Sequence, residues 1–218
     1  MDNTSPKILT TLQKEALDLL FSEEQFSKIF YLTGGTALSA FFLNHRHSDD
    51  LDFFTNAPDI TFLFPLLKKF EQGGKLVIES RTPQYMRTRF KGELKIDFVQ
   101  DIPFRVGIPF QHKRWKIDAL ENIALNKVSA IQGRLDVKDY VDLYFLLRED
   151  PEKIFPWLKQ ARQKDGSIEP FLWSRIIGDV ETFRILPRMI KPFKMKDLVA
   201  FYRNLRQRIL ERLKPETG

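Results

Sequence analysis

The first part of the chain places short apolar runs between glycine, proline and charged residues. Residues 6–20 have apolar positions at helical spacing, with Ser5 as a candidate N-cap and Pro6 at the first helical position. The run IFYLTGG predicts a short strand that ends in a glycine turn, TALSAFFLNH a helix, and DLDFFT a mostly buried strand. The predicted order is helix, strand, glycine turn, helix and strand.

Proline, glycine and charged turns divide the following segment into one helix and three strands. TFLFPLLKKF predicts a helix that is kinked or begins near Pro65. KLVIES, YMRTRF and ELKIDFVQ predict strands separated by Pro83 and Gly92. Together these elements predict a mixed sheet with helices on one face.

The periodicity becomes helical after the proline-marked stretch DIPFRVGIPF and stays helical to the end. Asp118 with Glu121 marks one helix start as a capping box, and Asp136 with Asp139 marks the next in a weaker form. The predicted helices lie near residues 118–132, 136–149, 151–164, 170–180 and 195–213. The predicted fold class is α+β, with a mixed-sheet core followed by an all-helical C-terminal domain.

The change of periodicity places a domain boundary near His112, between a core of residues 1–112 and a helical domain of residues 113–218. The chain has no internal repeat and no Gly/Ser-rich linker. We therefore expect the two domains to pack together, and a cleft between them is the natural place for a ligand.

Composition narrows the class of protein. Hydrophobic residues make up 43% of the chain and Phe occurs 20 times, which is enough apolar volume for a packed interior. Cysteine is absent, which excludes disulfides, thiolate zinc sites and cysteine nucleophiles. No apolar run approaches the roughly 20 residues of a membrane helix and the N-terminus is polar, so we expect a cytoplasmic protein without a membrane partner.

The formal net charge of +6 is concentrated near the C-terminus. The basic tail, residues 184–214, has ten Lys or Arg against two acids, and Phe193, Phe201 and Tyr202 lie among them. Such a stretch suits a phosphate backbone or an acidic protein partner. A solvated helix face rich in Lys and Arg is the alternative interpretation.

Two aspartates lie on one side of the strand DLDFFT. Side chains alternate along a strand, so Asp50 and Asp52 point one way while Leu51 and Phe53 point the other way into the core. Two neighbouring carboxylates repel each other unless a cation lies between them, and carboxylate oxygens are ligands that Mg²⁺ prefers. The pair predicts a Mg²⁺ or Mn²⁺ site, and a loop of solvated acids is the alternative.

The strand LKIDFV repeats this pattern, with Asp97 on the face opposite Leu94, Ile96 and Phe98. Asp97 is therefore a candidate third metal ligand, or the base that accepts the proton of an attacking hydroxyl. Three acids around one or two Mg²⁺ ions orient a nucleoside triphosphate and neutralise charge on its phosphates.

The glycine turn lies upstream of this acid pair. Gly34 and Gly35 allow the backbone to approach a phosphate closely, and Thr36 lies where the following helix offers unpaired amides. Arg46 and Ser48 fall between the turn and the acids, where a guanidinium can reach phosphate or base. A surface ion pair is the other interpretation of Arg46.

An alternative metal chemistry is suggested by H-R-H-S-D, which is similar to the H-x-H-x-D motif of metallo-β-lactamase-type zinc hydrolases. His45 and His47 would be the first ligands, Asp50 stands at the position of the motif's final His, and the chain has one further histidine, His112. This count is too low for a histidine-rich site with two metals.

Three segments within residues 31–147 carry a family resemblance, in this order: GGTALSAFFLNHRHSDDLDFF, KIDFV and ALNKVSAIQGRLDVKDYVDLYFLL. They resemble the AbiEii/AbiGii toxin family of polymerase β-type nucleotidyltransferases. The resemblance implies a polymerase β-like core and transfer of a nucleoside monophosphate to an acceptor hydroxyl. It also implies that Gly34, Gly35 and Thr36 hold the triphosphate and that Asp50 and Asp52 bind the metal. By the same resemblance, Lys127 and Asp142 complete the catalytic set.

Lys127 has an independent signal in the sequence. Ile123, Ala124 and Ile131 lie one helical turn away, and an ammonium in an apolar stripe is costly unless an anion such as a nucleotide phosphate meets it.

Asp139 and Asp142 lie three apart on the next helix and share a side, away from the apolar stripe. One of them can partner Lys127, which places Asp139 in the nucleotide-binding set. The alternatives are a capping role for Asp139 and an ordinary exposed acid for Asp142.

By resemblance, the acceptor is RNA, at a tRNA end, and the chain is the toxin of a toxin–antitoxin or phage-defence system with a cognate antitoxin. Two other functions stay open: modification of a small molecule, as by aminoglycoside nucleotidyltransferases, and a module of the same fold that binds nucleotide or protein without catalysis.

Overall fold

A computed structural model describes residue 6 and residues 8–214. The described chain divides into two compact units, one ending at Leu120 and the other beginning at Glu121. Within the described residues, no helix is both long enough and apolar enough to cross a membrane.

The first unit contains a mixed sheet. Its described strands are β1 (Tyr31–Thr33), β2 (Leu51–Thr55), β3 (Leu76–Arg81), β4 (Tyr85–Phe90), β5 (Leu94–Gln100), β6 (Phe110–His112) and β7 (Trp115–Ile117). They lie in the order β3-β4-β5-β2-β1-β7-β6. Strands β2 and β5 are parallel, as are β1 and β7, and the other neighbours are antiparallel. The predicted α+β class and mixed sheet are confirmed.

The hairpin of β6 and β7 contradicts the expectation that the chain is helical from about residue 112. Each strand has three residues, and Lys113 in the turn has a φ of 55°. Three residues are too few to establish a period of two in the sequence, so the hairpin has no clear pattern.

The helices of the first unit are α1 (Thr11–Phe21), α2 (Glu24–Ile29), α3 (Gly34–Leu38), continued by a π-helical turn at Ser39–Leu43, and α4 (Leu63–Gln72). Helix α1 begins later than the pattern from residue 6 predicts. The side chain of Thr10 accepts from the backbone of Gln13, and the Gln13 side chain accepts from the backbone of Thr10. This reciprocal capping box satisfies two helix-end amides and defines the start. The predicted N-cap, Ser5, lies outside the described residues.

A cluster of phenylalanines packs one face of the sheet against α1 and α2. Phe53 of β2 and Phe98 of β5 stack at 5.6 Å between ring centroids, and Phe26 contacts both at 5.2 and 6.0 Å. Because side chains alternate, the acids next to Phe53 and Phe98 in sequence lie on the opposite face.

The second unit is helical, as predicted, with a core around Trp173, Tyr140 and Tyr202. Its helices are α5, which begins at the division (Leu120–Gly133), α6 (Val137–Leu147), α7 (Ile154–Ala161), α8 (Pro170–Ile176) and α9 (Met195–Arg212). Asp136 caps α6 by accepting from the backbone of Lys138. Helix α5 begins two residues after the predicted N-cap Asp118, whose carboxylate accepts from Thr33 (2.8 Å) and Arg105 (2.5 Å) within the first unit.

Candidate active site

The glycine turn and the D-x-D strand meet at Gly34. Strand β1 ends at Thr33, which pairs with Asp52 of β2. Gly34 then takes a left-handed backbone conformation, with φ of 70°, and a Cβ there would overlap the carboxylate of Asp52. Both the conformation and the lack of space require glycine.

Gly35 lies against the guanidinium of Arg46, and a Cβ at Gly35 would overlap it. Arg46 is 2% exposed and donates to the carbonyl of His47 at 2.9 Å. The interpretation of Arg46 as half of a surface ion pair is therefore wrong. Ser48 also approaches Gly35 with its hydroxyl, and its carbonyl accepts from Gln13 at 2.8 Å.

Thr36 joins the glycine turn to the acid pair. Its buried hydroxyl donates to the backbone carbonyl of Asp50 at 2.5 Å. This bond holds the residue just before β2 against the start of α3. The described contact is structural, and the triphosphate contact implied by the family resemblance stays a prediction.

Asp52 and Asp97 are direct neighbours in the parallel pairing of β2 with β5. Asp50 lies just before β2, and its carboxylate contacts the ammonium of Lys95 at 2.6 Å. The same ammonium lies 4.0 Å from Asp97. The three predicted acids therefore lie close together on one face of the sheet, with a cation next to two of them.

Asp97 also accepts from Arg87 and Tyr85 on the neighbouring strand β4. The guanidinium of Arg87 contacts both carboxylate oxygens, at 2.8 and 2.9 Å, and the Tyr85 hydroxyl donates at 3.0 Å. Burial, and then the charge of Asp97, raise the pKa of Tyr85 to about 12. Neither Tyr85 nor Arg87 was identified from the sequence. Alternation in YMRTRF places both on one face, but the partner strand is not visible from it.

The acids of this site are chemically suited to a divalent cation. Carboxylate oxygens are suitable ligands for Mg²⁺ or Mn²⁺, and Lys95 shows that a positive charge is stabilised beside Asp50 and Asp97. In the described conformation, however, no three His, Asp or Glu side chains of residues 6 and 8–214 converge into a metal-binding group. The residues fit the cation chemically, provided that the cationic side chains move.

A second charged cluster lies wholly within the helical unit. The ammonium of Lys127 contacts Asp139 and Asp142, each at 2.7 Å, and Arg134 contacts Asp139 at 2.7 Å. Both acids are fully buried. The alternative of an exposed Asp142 is therefore wrong, and both acids, rather than one, partner Lys127. The amide of Asp139 donates to the Asp136 carbonyl, but its carboxylate pairs with the two cations.

The pKa of the Asp139 carboxyl reflects these contacts. Burial alone would raise this pKa, but the charges of Lys127 and Arg134 outweigh burial and hold it below its ordinary value. Lys127 thus has anionic partners within its own unit, and its burial is accounted for without a bound phosphate.

Among the aromatic residues of the basic tail, Tyr202 is buried in the core of the helical unit, whereas Phe193 and Phe201 are half-buried. Phe193 and Phe201 pack on Tyr144, with ring centroids 4.6 and 5.0 Å away, and Tyr202 packs on Tyr140 at 5.0 Å. The arginines of α9 are exposed, and three of them form surface pairs: Arg203 with Glu181 at 2.8 Å, and Arg208 and Arg212 with Glu152 at 3.0 and 3.8 Å. The basic tail therefore has an exposed basic face, and the rings of Phe193, Phe201 and Tyr202 each pack against another ring.

Solved structures with similar folds include JHP933 from Helicobacter pylori, with a TM-score of 0.53, 21% identity and coverage of 91% of each chain. Another is ANT(2")-Ia in complex with adenylyl-2"-tobramycin, with a TM-score of 0.53, 12% identity and coverage of 71% of this chain and 98% of that one. At these identities, the likeness concerns the fold alone.

Sequence comparison is more specific. An uncharacterized protein of Aquifex aeolicus strain VF5, aq_aa25, is 33% identical over 175 residues, covering 72% of this chain and 76% of that protein. The family model of the nucleotidyl transferase AbiEii toxin, type IV toxin–antitoxin system, matches residues 16–215. This match covers most of the chain, and the glycine turn against Asp52 and the neighbouring aspartates of β2 and β5 agree with it. The chain therefore belongs to the AbiEii family of nucleotidyltransferase toxins.

Proposed function

We propose that this nucleotidyltransferase transfers a nucleoside monophosphate from a triphosphate to a hydroxyl of RNA, at a tRNA end, and releases pyrophosphate. The observation that carries the proposal is the placement of Asp52 against the glycine turn and beside Asp97. A polymerase β-type reaction needs phosphate-holding backbone and carboxylates at one place, and the glycine turn together with β2 and β5 supplies both.

Asp50 and Asp52 would hold Mg²⁺ or Mn²⁺, with Asp97 as a further ligand or as the proton acceptor. The ion would supply charge neutralisation for the triphosphate. Gly34 and Gly35 would bring backbone close to the phosphates, while Thr36 keeps Asp50 in position through its 2.5 Å bond. Arg46 and Ser48 would support the turn from the side on which they contact Gly35.

Lys127, Asp139 and Asp142 would contribute from the helical unit, as the family resemblance implies. Their ion pairs fix the Lys127 ammonium with little exposed surface. Contact with the nucleotide therefore requires Lys127 to share its charge between the two acids and a phosphate.

An RNA acceptor is supported by the exposed arginines of α9. Surface pairs such as Arg203 with Glu181 contribute little to stability because both side chains are solvated, so a phosphate can replace the glutamate. The family also implies a cognate antitoxin as a partner. A toxin that acts in phage defence in the cytoplasm would encounter tRNA in that compartment.

The proposal is tested by incubating the protein with Mg²⁺, each α-labelled nucleoside triphosphate in turn, and either total RNA or tobramycin. We expect at least one of the labelled triphosphates to give a labelled product of tRNA size. The Asp50→Ala, Asp52→Ala double variant should give no labelled product. Labelled tobramycin without labelled RNA would replace the RNA acceptor with a small molecule. No labelled product, despite triphosphate binding, would favour a binding module of the same fold.

A further inference from the structure

Arg87 engages a proposed catalytic carboxylate with both arms of its guanidinium. Its Nε and Nη2 contact the two oxygens of Asp97 at 2.8 and 2.9 Å. The Asp97 side chain is 11% exposed, whereas that of Arg87 is 39% exposed. The acid is therefore held in place, and the arginine has room to move.

The neighbouring arginine on the same face of β4 provides an internal comparison. Arg89 is 40% exposed and contacts Glu79 of β3 at 2.5 Å. The two arginines share strand, face and exposure, and differ in their partner. Arg89 is therefore a matched control for effects that depend on the contact of Arg87 with Asp97.

Ligation of a divalent cation by Asp97 would compete with its present contacts. Arg87 occupies both oxygens, and Tyr85 donates to one of them. A carboxylate in such a fork-shaped pair has few lone pairs left for a metal. The partly exposed guanidinium, once released, would need another planar array of anionic oxygens, which a phosphate offers.

We propose that Arg87 is a triphosphate-binding residue that pairs with Asp97 when metal and nucleotide are absent. Arg87 leaves the carboxylate when Asp97 ligates a divalent cation, and then binds a phosphate of the triphosphate. This inference rests on the proposed function and adds a residue from β4 to the site. It also accounts for an acid that is buried yet available: Arg87 neutralises it until the substrate arrives.

The inference predicts opposite effects of Arg87→Ala on two ligands. The affinity for Mn²⁺ alone is measured from the decrease of the EPR signal of the free ion. It is expected to become about tenfold higher, because Asp97 no longer has to release a guanidinium before it binds the ion. Binding of a non-hydrolysable triphosphate in Mg²⁺, measured by calorimetry, is expected to become about tenfold weaker, because a charge-assisted contact is lost. Arg89→Ala, the matched control, is expected to change neither affinity by more than about twofold.

Equal behaviour of the Arg87→Ala and Arg89→Ala proteins towards either ligand overturns the inference, provided that wild type binds Mn²⁺ and transfers nucleotide. A loss of affinity for both ligands also overturns it, because Arg87 would then support the site rather than compete for Asp97. Failure of wild-type protein to bind Mn²⁺ or to transfer nucleotide would remove the proposed function first, and this inference with it. Thermal unfolding of each variant verifies that the comparison is made between folded proteins.

Discussion

The two units each contain a lysine between two aspartates, in very different surroundings. In the first unit Lys95 contacts Asp50 and lies near Asp97, and the side chains of Lys95 and Asp50 are both 32% exposed. In the second unit, Lys127 is 8% exposed and both of its acids are completely buried. The same three groups thus form an open cluster in one unit and a closed cluster in the other.

The difference determines what each cluster can do. Opening a solvent-exposed pair costs about 0–1 kcal/mol, so a ligand can replace Lys95 on Asp50. Breaking a buried pair leaves an unsolvated charge and costs several kcal/mol, so Lys127 holds α5 to α6 firmly. An open cluster suits ligand exchange, whereas a closed one stabilises a fold and presents a fixed charge.

The largest effect is expected beside the open cluster, at Asp52, on activity. Asp52→Ala should lower nucleotide transfer on the order of 10,000-fold, because a metal ion supplies several kcal/mol of transition-state stabilisation and about 1.4 kcal/mol corresponds to tenfold in rate. Stability should hardly change, since Asp52 is partly exposed. Transfer assays and thermal unfolding measure the two. A folded variant with activity within a few-fold of wild type would exclude the metal role.

The closed cluster should respond in stability. Lys127→Met is expected to lower the free energy of unfolding by about 3–5 kcal/mol, because Asp139 and Asp142 lose their shared cation. The matched variant Lys95→Met should cost no more than about 1 kcal/mol, since its pair with Asp50 is exposed. Urea titrations of both proteins check this. Equal losses would abolish the distinction between open and closed clusters.

Asp97→Asn should separate chemistry from binding. We expect turnover to fall about 100-fold with a much smaller change in nucleotide affinity, because the proposed role concerns the attacking hydroxyl. Steady-state kinetics and direct nucleotide binding give the two quantities. If both fall to the same extent, Asp97 acts in binding or in structure instead.

The closed cluster also predicts a dependence on pH. Because the pKa of Asp139 is depressed in the folded protein, the unfolded chain binds a proton first as pH falls below about 3.9, the ordinary value for aspartate. The contribution of Asp139 to stability is therefore present above that pH and is lost as pH falls through the folded pKa. Urea titrations at a series of pH values should show a shallower decline for Asp139→Asn than for wild type. A parallel decline would contradict the assignment.

The smallest effect is expected outside both clusters, on the basic tail. Replacing Arg203, Arg206 and Arg208 with Gln keeps helix propensity and should weaken RNA binding. The slope of log affinity against log salt should become shallower by about 2 if all three contact single-stranded phosphates. Triphosphate affinity should not change. An unaltered RNA affinity and salt slope would leave the tail as a solvated face or an antitoxin-binding surface.

Short-range patterns predicted the elements and the faces of individual strands well. The alternation of Asp52 with Phe53 and of Asp97 with Phe98 correctly separated the acidic face from the core. Those predictions depend only on residues two apart, whose relative direction is set by strand geometry.

The order of the strands was beyond the reach of these patterns. That Arg87 lies across from Asp97 follows from the pairing of β4 with β5, which no single strand reveals. Helix α6 shows the same limit, because a polar side in sequence became a buried one once Lys127 provided the counter-charge. The burial of an acid depends on its partner, and a partner on another element has no fixed spacing in sequence.

The position of β2 in the interior of the sheet has a consequence for dynamics. Its backbone is bonded to β1 on one side and to β5 on the other. Amides with partners on both flanks open only through large fluctuations, so those of residues 51–55 should be among the slowest of the first unit to exchange hydrogen for deuterium. Asp52 thus lies on a strand that opens rarely, whereas the guanidinium of Arg87 can reorient on the timescale of a side chain.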